Sequence, residues 1–161
     1  MITDNGFDIA KNMNFEIVAT GFDTVHPGAT DGYMLNNGKI GIAVECGFLG
    51  ESEENMPLAY DSILQFLQYF GIIDAVKMIN KVKQKIINVD ETQRVTSENF
   101  KLERAFDDFE LILKGTLIAS DRGNKYLATK ERVILFAIPG KPIGAEAYVL
   151  GTWVKNITSK G

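Results

Sequence analysis

The amino-acid sequence predicts an α/β segment followed by a small all-β domain, a barrel or a sandwich. Three observations carry that expectation. A nearly continuous apolar run, IGIAVECG at 40–47, is followed by a stretch of helical period. From about residue 84 the chain breaks into short β-type runs separated by turn residues. And 161 residues, 45% of them hydrophobic, suffice for a real core in one domain or two small ones.

The elements follow in order. DNGFDIAKNM at 4–13 spaces Phe7, Ile9, Ala10 and Met13 at roughly helical intervals, and FEIVAT at 15–20 then reads as a strand. GFDTVHPGATDGYMLNNGK at 21–39 is dense in Gly, Asp, Asn and Pro and predicts one long loop, a frequent place for function. The run at 40–47 has too few polar residues for a half-exposed strand, so both faces are expected to be covered. After the acidic turn GESEEN, Pro57 suits a first helical turn. Tyr60, Ile63, Leu64, Leu67 and Phe70 then form an apolar face that stops at Gly71, with a second, shorter helix expected over 72–82.

KIINVDETQRVT, FELILKGTLIAS, KYLAT, RVILFAI and AEAYVLGTW complete the chain as β runs, divided by DRGN, KE and PGKPIG. The change of character places a boundary within 82–98. Two strands and two helices are few for a doubly covered sheet, so the first segment reads as the tail of a larger domain.

Acidic residues exceed basic ones by 21 to 17, and no Lys/Arg stripe interleaved with aromatics is present, which argues against nucleic acid. The N-terminus lacks a basic stretch leading into an apolar one, and nowhere do about 18 apolar residues run together, which argues against export or membrane spanning. One cysteine, Cys46, permits neither an internal disulfide nor a CxxC metal site, and cytoplasmic placement is the expectation. With His26 as the sole histidine, a zinc site would need carboxylates for its other ligands, and a Ser/His/Asp or Cys/His nucleophile would have to recruit that same residue. Glycine-rich phosphate loops are lacking too. Glu45 differs in kind: a carboxylate in an apolar strand is desolvated unless paired or protonated, and a raised carboxyl pKa is what general acid/base chemistry near neutral pH uses. A strand-end glutamate meeting solvent or a structural partner is the competing interpretation.

HPGATDGYMLNNGKI running into GIAVECG, then KGTLIASDRGNKYLA at 114–128 and GAEAYVLG at 144–151, resembles the C-terminal portion of the succinylglutamate desuccinylase/aspartoacylase family. These are zinc-dependent deacylases related to the zinc carboxypeptidases. The resemblance covers almost the whole chain and implies two parts. Residues 1–82 would be an α/β remnant of a zinc-carboxypeptidase-like sheet domain, and 83–161 the small β domain that follows it.

It also implies that Glu45 is the base that activates zinc-bound water, with His26, Asp31 and Tyr33 as substrate-loop candidates. The family's zinc ligands, an HxxE pair and a further histidine, would fall before Met1 on this alignment, as would the arginines that hold the substrate carboxylate. Arg94, Arg104, Arg122 and Arg132 all lie in the other half. The implied activity is hydrolysis of an N-acyl amino acid amide, with no zinc bound by this chain through the family ligands and no activity from the chain alone. The implied partners are that small substrate when the enzyme is complete, and a complementing N-terminal half or a second copy in a homo-oligomer. The competing function is a non-catalytic binding or oligomerisation module derived from the family.

Overall fold

The computed structural model describes residues 4–47, 50, 52–74 and 82–154. The chain divides into two compact units, Met1–Val18 with His26–Lys85 and Ala19–Val25 with Ile86–Gly161.

The first unit is mainly helical. Helix α1 (Asp4–Asn12) buries Ile9, one turn ahead of the equally buried Met13. Its last carbonyls are not left orphaned, because Gln84 Nε2 donates to the carbonyls of Ala10 and Met13, both at 2.9 Å. Strand β1 (Ile17–Thr20) follows, as expected. The stretch expected as one long loop instead holds two short helices, α2 (Phe22–Val25), which belongs to the second unit, and α3 (Thr30–Asn36) in the first. Helix α3 closes as the next glycine dictates. Gly38 sits at φ 67°, its N–H reaches the Leu35 carbonyl at 3.0 Å and that of Lys39 the Met34 carbonyl at 2.9 Å, a Schellman ending.

The expected strand at 40–47 does not form. From Ile42 to Gly47 exposure alternates, with Ile42, Val44 and Cys46 half-buried and Ala43, Glu45 and Gly47 exposed, but the segment enters neither sheet. No backbone hydrogen bond joins Ile40–Gly47 to another described residue. The expectation of two covered faces is therefore corrected to one half-covered face.

Helix α4 (Ser52–Tyr69) begins earlier than the proline suggested, so Pro57 lies inside it rather than in its first turn. It ends as expected at Gly71, φ 66°, with the N–H groups of Gly71 and Ile72 on the carbonyls of Gln68 and Leu67 at 2.9 and 3.0 Å. Its apolar face is the second correction. Tyr60 and Ile63 are 61% and 59% exposed and Phe70 is exposed as well, whereas Ser62 is 5% exposed. The Ser62 hydroxyl escapes isolation by donating to the Leu58 carbonyl at 2.5 Å. Residues 72–74 are not helical, and most of the second helix expected over 72–82 lies outside the described residues.

The second unit is built from strands β2 (Lys85–Arg94), β3 (Lys101–Leu102), β4 (Glu110–Ile112), β5 (Leu117–Asp121), β6 (Asn124–Leu127), β7 (Arg132–Leu135) and β8 (Glu146–Trp153). One sheet has the order β1-β2-β8-β7-β4 and the other β3-β5-β6. Leu102, Ile118 and Ala119 of the smaller sheet share one core with Ile112, Ile134, Tyr148 and Leu150 of the larger. Every residue from Ala147 to Gly151 is buried, as befits a central strand. The β5–β6 hairpin turns on Arg122 and Gly123, both at positive φ (49° and 86°), the two-residue turn whose twist matches the strands.

Candidate functional site

The turn-rich loop and the extended segment meet at Gly41. A Cβ there would stand 2.5 Å from both the Cα and the carbonyl oxygen of Asp31, so only glycine lets the extended chain lie against the start of α3. At the far end Gly47, φ 103°, packs as closely: a Cβ would come within 2.6 Å of the Asn55 side-chain amide. The two glycines thus fix the ends of the segment that carries Glu45.

Beside this contact lies a groove of about 460 Å³. Met34, Ile40, Ile42 and Phe66 give it apolar walls, Thr30 adds a hydroxyl, and among the described residues Asp31 is the one charged residue lining it. Of the sequence candidates, Asp31 lines this groove, whereas Glu45, His26 and Tyr33 do not. Tyr33 sits two residues further along α3, 65% exposed. His26 precedes α3, half-buried, and its carbonyl accepts the Ala29 N–H at 3.0 Å. Glu45 is exposed, so the desolvation that made it attractive from sequence is absent.

Thr30, Met34 and Phe66 were not singled out from sequence. The signal existed in part: an apolar triplet, Tyr33-Met34-Leu35, closed by Asn-Asn-Gly, marks a helix end rather than a loop.

The described residues do not fit a zinc ion. Among them no three His, Cys, Asp or Glu side chains converge.

Three of the four arginines have structural work in the second unit. Arg132, 3% exposed, makes a bidentate pair with Asp90, Nη1 to Oδ2 at 3.2 Å and Nη2 to Oδ1. Arg104 pairs with Glu110 and lies 3.9 Å from the centre of the Phe106 ring. That hydrogen-bonded pair holds the Glu110 carboxyl below its ordinary pKa and the guanidinium above its own. Arg94 donates to the Gly144 carbonyl at 2.9 Å.

The stretches behind the family resemblance are structural here too. Asp121, in KGTLIASDRG, accepts the hydroxyls of Ser97 at 2.5 Å and Thr96 at 2.6 Å, and those bonds lower its pKa. In GAEAYVLG, Tyr148 is buried with its phenol pKa raised, first of all by desolvation. Gly151 allows Ile87 to close on β8: a Cβ would sit 2.8 Å from that side chain.

The fold is of a mixed α/β class with four helices and two sheets among the described residues. Solved structures that share it include three succinylglutamate desuccinylases. Succinylglutamate desuccinylase from Vibrio parahaemolyticus superposes with a TM-score of 0.61 at 19% identity, over 95% of this chain and 46% of its own. The enzyme from Vibrio cholerae gives 0.61 at 16%, over 92% and 44%. A succinylglutamate desuccinylase from a Silicibacter species gives 0.54 at 20%, over 94% and 49%. The chain therefore spans less than half the length of each, and the likeness is one of fold. No protein-family model and no curated protein matches the chain. No described helix is long and apolar enough to cross a membrane.

Proposed function

We propose that this chain is the C-terminal part of a deacylase of the succinylglutamate desuccinylase/aspartoacylase type, with Glu45 as the general base in hydrolysis of an N-acyl amino acid amide. The observation that carries the reading is the shared fold over nearly the whole chain, within which Glu45 stands on the open side of a segment pinned by Gly41 and Gly47. In this role the carboxylate takes a proton from the attacking water and returns it to the leaving amine. Asp31 in the groove would bind the substrate's neutral or cationic groups, with Tyr33 and His26, which do not line it, as further candidates from the same stretch of chain. Among the described residues the groove lining contains no lysine or arginine, and the resemblance assigns a substrate carboxylate to arginines upstream on its alignment.

Glu45 facing ordinary water, whose pKa is about 15.7, removes no proton at a useful rate, so the chain alone is inactive. Zinc titration by calorimetry, followed by deacylase assays on N-acetyl and N-succinyl amino acids, tests this. The expected result is neither tight stoichiometric zinc nor turnover, and finding both would overturn the inactivity. In an enzyme completed with the missing half, Glu45→Gln should lose most of kcat with zinc retained. Unchanged activity would remove Glu45 from the mechanism. The second reading, a non-catalytic binding or oligomerisation module, is favoured by one feature: the large apolar side chains that α4 turns outward. Cytoplasmic placement belongs to the same proposal.

A further inference from the structure

Helix α3 ends on an Asn-Gly pair, Asn37-Gly38, and both residues are exposed. Asparagine is among the chemically labile residues. Its amide can be lost within the chain itself, when the backbone nitrogen of the next residue attacks the side chain. Glycine in that next position leaves the nitrogen unshielded. A Cβ at Gly38 would meet nothing within 4 Å, so the space around it is open.

We propose that Asn37 is a modification site of this chain, lost by spontaneous deamidation at a rate that the ending of α3 sets. In the step, the Gly38 nitrogen forms a bond to Asn37 Cγ, the Cγ–Nδ2 bond breaks, and ammonia leaves with the Gly38 proton. Water then opens the resulting five-membered imide. Attack at Cγ gives aspartate, and attack at the main-chain carbonyl gives isoaspartate, with the backbone rerouted through the side chain. Water is the sole co-reactant. The inference therefore needs no partner, metal or further stretch of chain, and it is independent of any role for Glu45.

The geometry restrains each reacting atom. Asn37 sits at φ −100°, ψ 18°. A ψ near zero lines the Gly38 nitrogen up with Asn37's own nitrogen and leaves Cβ a third of a turn away, whereas the nearly flat imide needs Cβ in line. Asn37 Nδ2 donates to the Tyr33 carbonyl at 2.8 Å, which holds the side chain back over the helix. The nucleophile is engaged as well: the Gly38 N–H donates to the Leu35 carbonyl at 3.0 Å, and the Lys39 N–H beyond it to that of Met34 at 2.9 Å. Deamidation must wait for this last turn to fray. Two or three net hydrogen bonds make the frayed form a minority by roughly ten- to a hundredfold. Once formed, isoaspartate adds a carbon to the backbone inside the Schellman closure, and either product sets a carboxylate at a helix C-terminus, where negative charge is unfavourable. The segment so released runs directly into Ile40 and Gly41 beside the groove.

The test incubates the full chain at mildly alkaline pH, folded and in concentrated urea, and follows Asn37 by tryptic peptide mapping, in which mass spectrometry reads the replacement of NH by O. Cleavage at Lys11 separates this site from Asn5-Gly6, the other Asn-Gly pair in the sequence. Asn37 should convert in both samples, roughly ten- to a hundredfold more slowly in the folded one, with isoaspartate detected by an isoaspartyl methyltransferase used as reagent. Asn36→Pro takes an N–H out of the exposed last turn of α3 and should bring the folded rate to within a few-fold of that variant's own urea rate. The isoaspartyl chain, one charge more negative and separable by anion exchange, should exchange its Lys39 amide hydrogen faster than the unmodified chain. Survival of Asn37 in urea overturns the site. Equal rates folded and unfolded overturn the restraint, as does an Asn36→Pro variant slowed as much as wild type. An isoaspartyl chain with Lys39 protected as before overturns the release of the segment.

Discussion

Arg132 and Asp90 give the most discriminating test of how the second unit holds together. Asp90 is the extra residue of a bulge in β2, between Val89, opposite Gly151, and Glu91, opposite Leu150. The bulge carries its carboxylate to Arg132 on β7, past the intervening β8. Breaking a fully buried ion pair costs about 3–5 kcal/mol, chiefly because one charge is left unpaired. Here the arginine side chain is 3% exposed but the aspartate is 41% exposed, and Glu91 stands 3.9 Å from the same guanidinium as a weak substitute. Water reaches one end of the pair, so the figure for Asp90→Ala is scaled down to about 2 kcal/mol.

Arg132 Nε, moreover, is buried with no hydrogen-bond partner among the described residues, a fault that an apolar side chain would remove. Arg132→Met added to Asp90→Ala should therefore recover most of the loss, a coupling of about 1.5 kcal/mol. Urea unfolding followed by circular dichroism reads both. With a slope of about 2 kcal/mol per molar, the single variant should shift the midpoint down by about 1 M and the double variant by much less. A double variant whose loss equals or exceeds the sum of the two singles would refute the reasoning.

The remaining predictions concern other parts of the same unit. Gly151→Ala should destabilise by about 1–3 kcal/mol, because the new methyl meets fully buried Ile87 and the Asn88 carbonyl, neither of which can give way; an unchanged urea midpoint would contradict this. Asp121 has a pKa depressed in the folded chain. Its contribution is thus complete above the unfolded value of about 3.9 and is lost as pH falls through the lower folded value. Asp121→Asn should be less stable than wild type near neutrality, with the gap closing in acid, and a gap independent of pH would exclude the mechanism. Tyr148 works in the opposite sense. Its raised pKa leaves stability complete below the unfolded value of about 10 and erodes it as pH rises, so one of the five tyrosines should resist ionisation, followed by phenolate absorbance, until the chain unfolds.

Much of the fold was legible in the sequence, because hydrophobic period and turn chemistry act locally. The helix at 4–13, the strand at 15–20, the helix stop at Gly71 and the principal β runs after residue 84 needed only short-range rules. What failed was non-local. IGIAVECG has the composition of a doubly covered strand, yet a strand exists only where another supplies hydrogen bonds, and none of the described residues does so. The apolar face of α4 was read correctly as a face, but period alone does not say what it faces. Within the candidate site, the contact of Gly41 with Asp31 was invisible for the same reason: close approach of two backbones leaves no mark in sequence beyond a glycine.

The residues that make the sequence resemble a deacylase family also limit what the resemblance can transfer. Asp121 ties a hairpin to the Thr96-Ser97 link, Tyr148 and Leu150 fill a core, and Gly151 admits Ile87, so these positions are explained by folding without reference to any substrate. Agreement at such positions argues for a shared β architecture, which the structural likeness bears out. Chemistry must be argued from the other unit, where the relevant facts are an exposed carboxylate, two glycines that position its segment, and a groove with one acid. Those facts suit a general base awaiting the rest of an active site. They suit equally an extended edge whose backbone groups, without a partner among the described residues, invite another strand. The two readings separate at Glu45 itself, since strand pairing uses its backbone and tolerates Glu45→Gln, whereas proton transfer uses its carboxylate and does not.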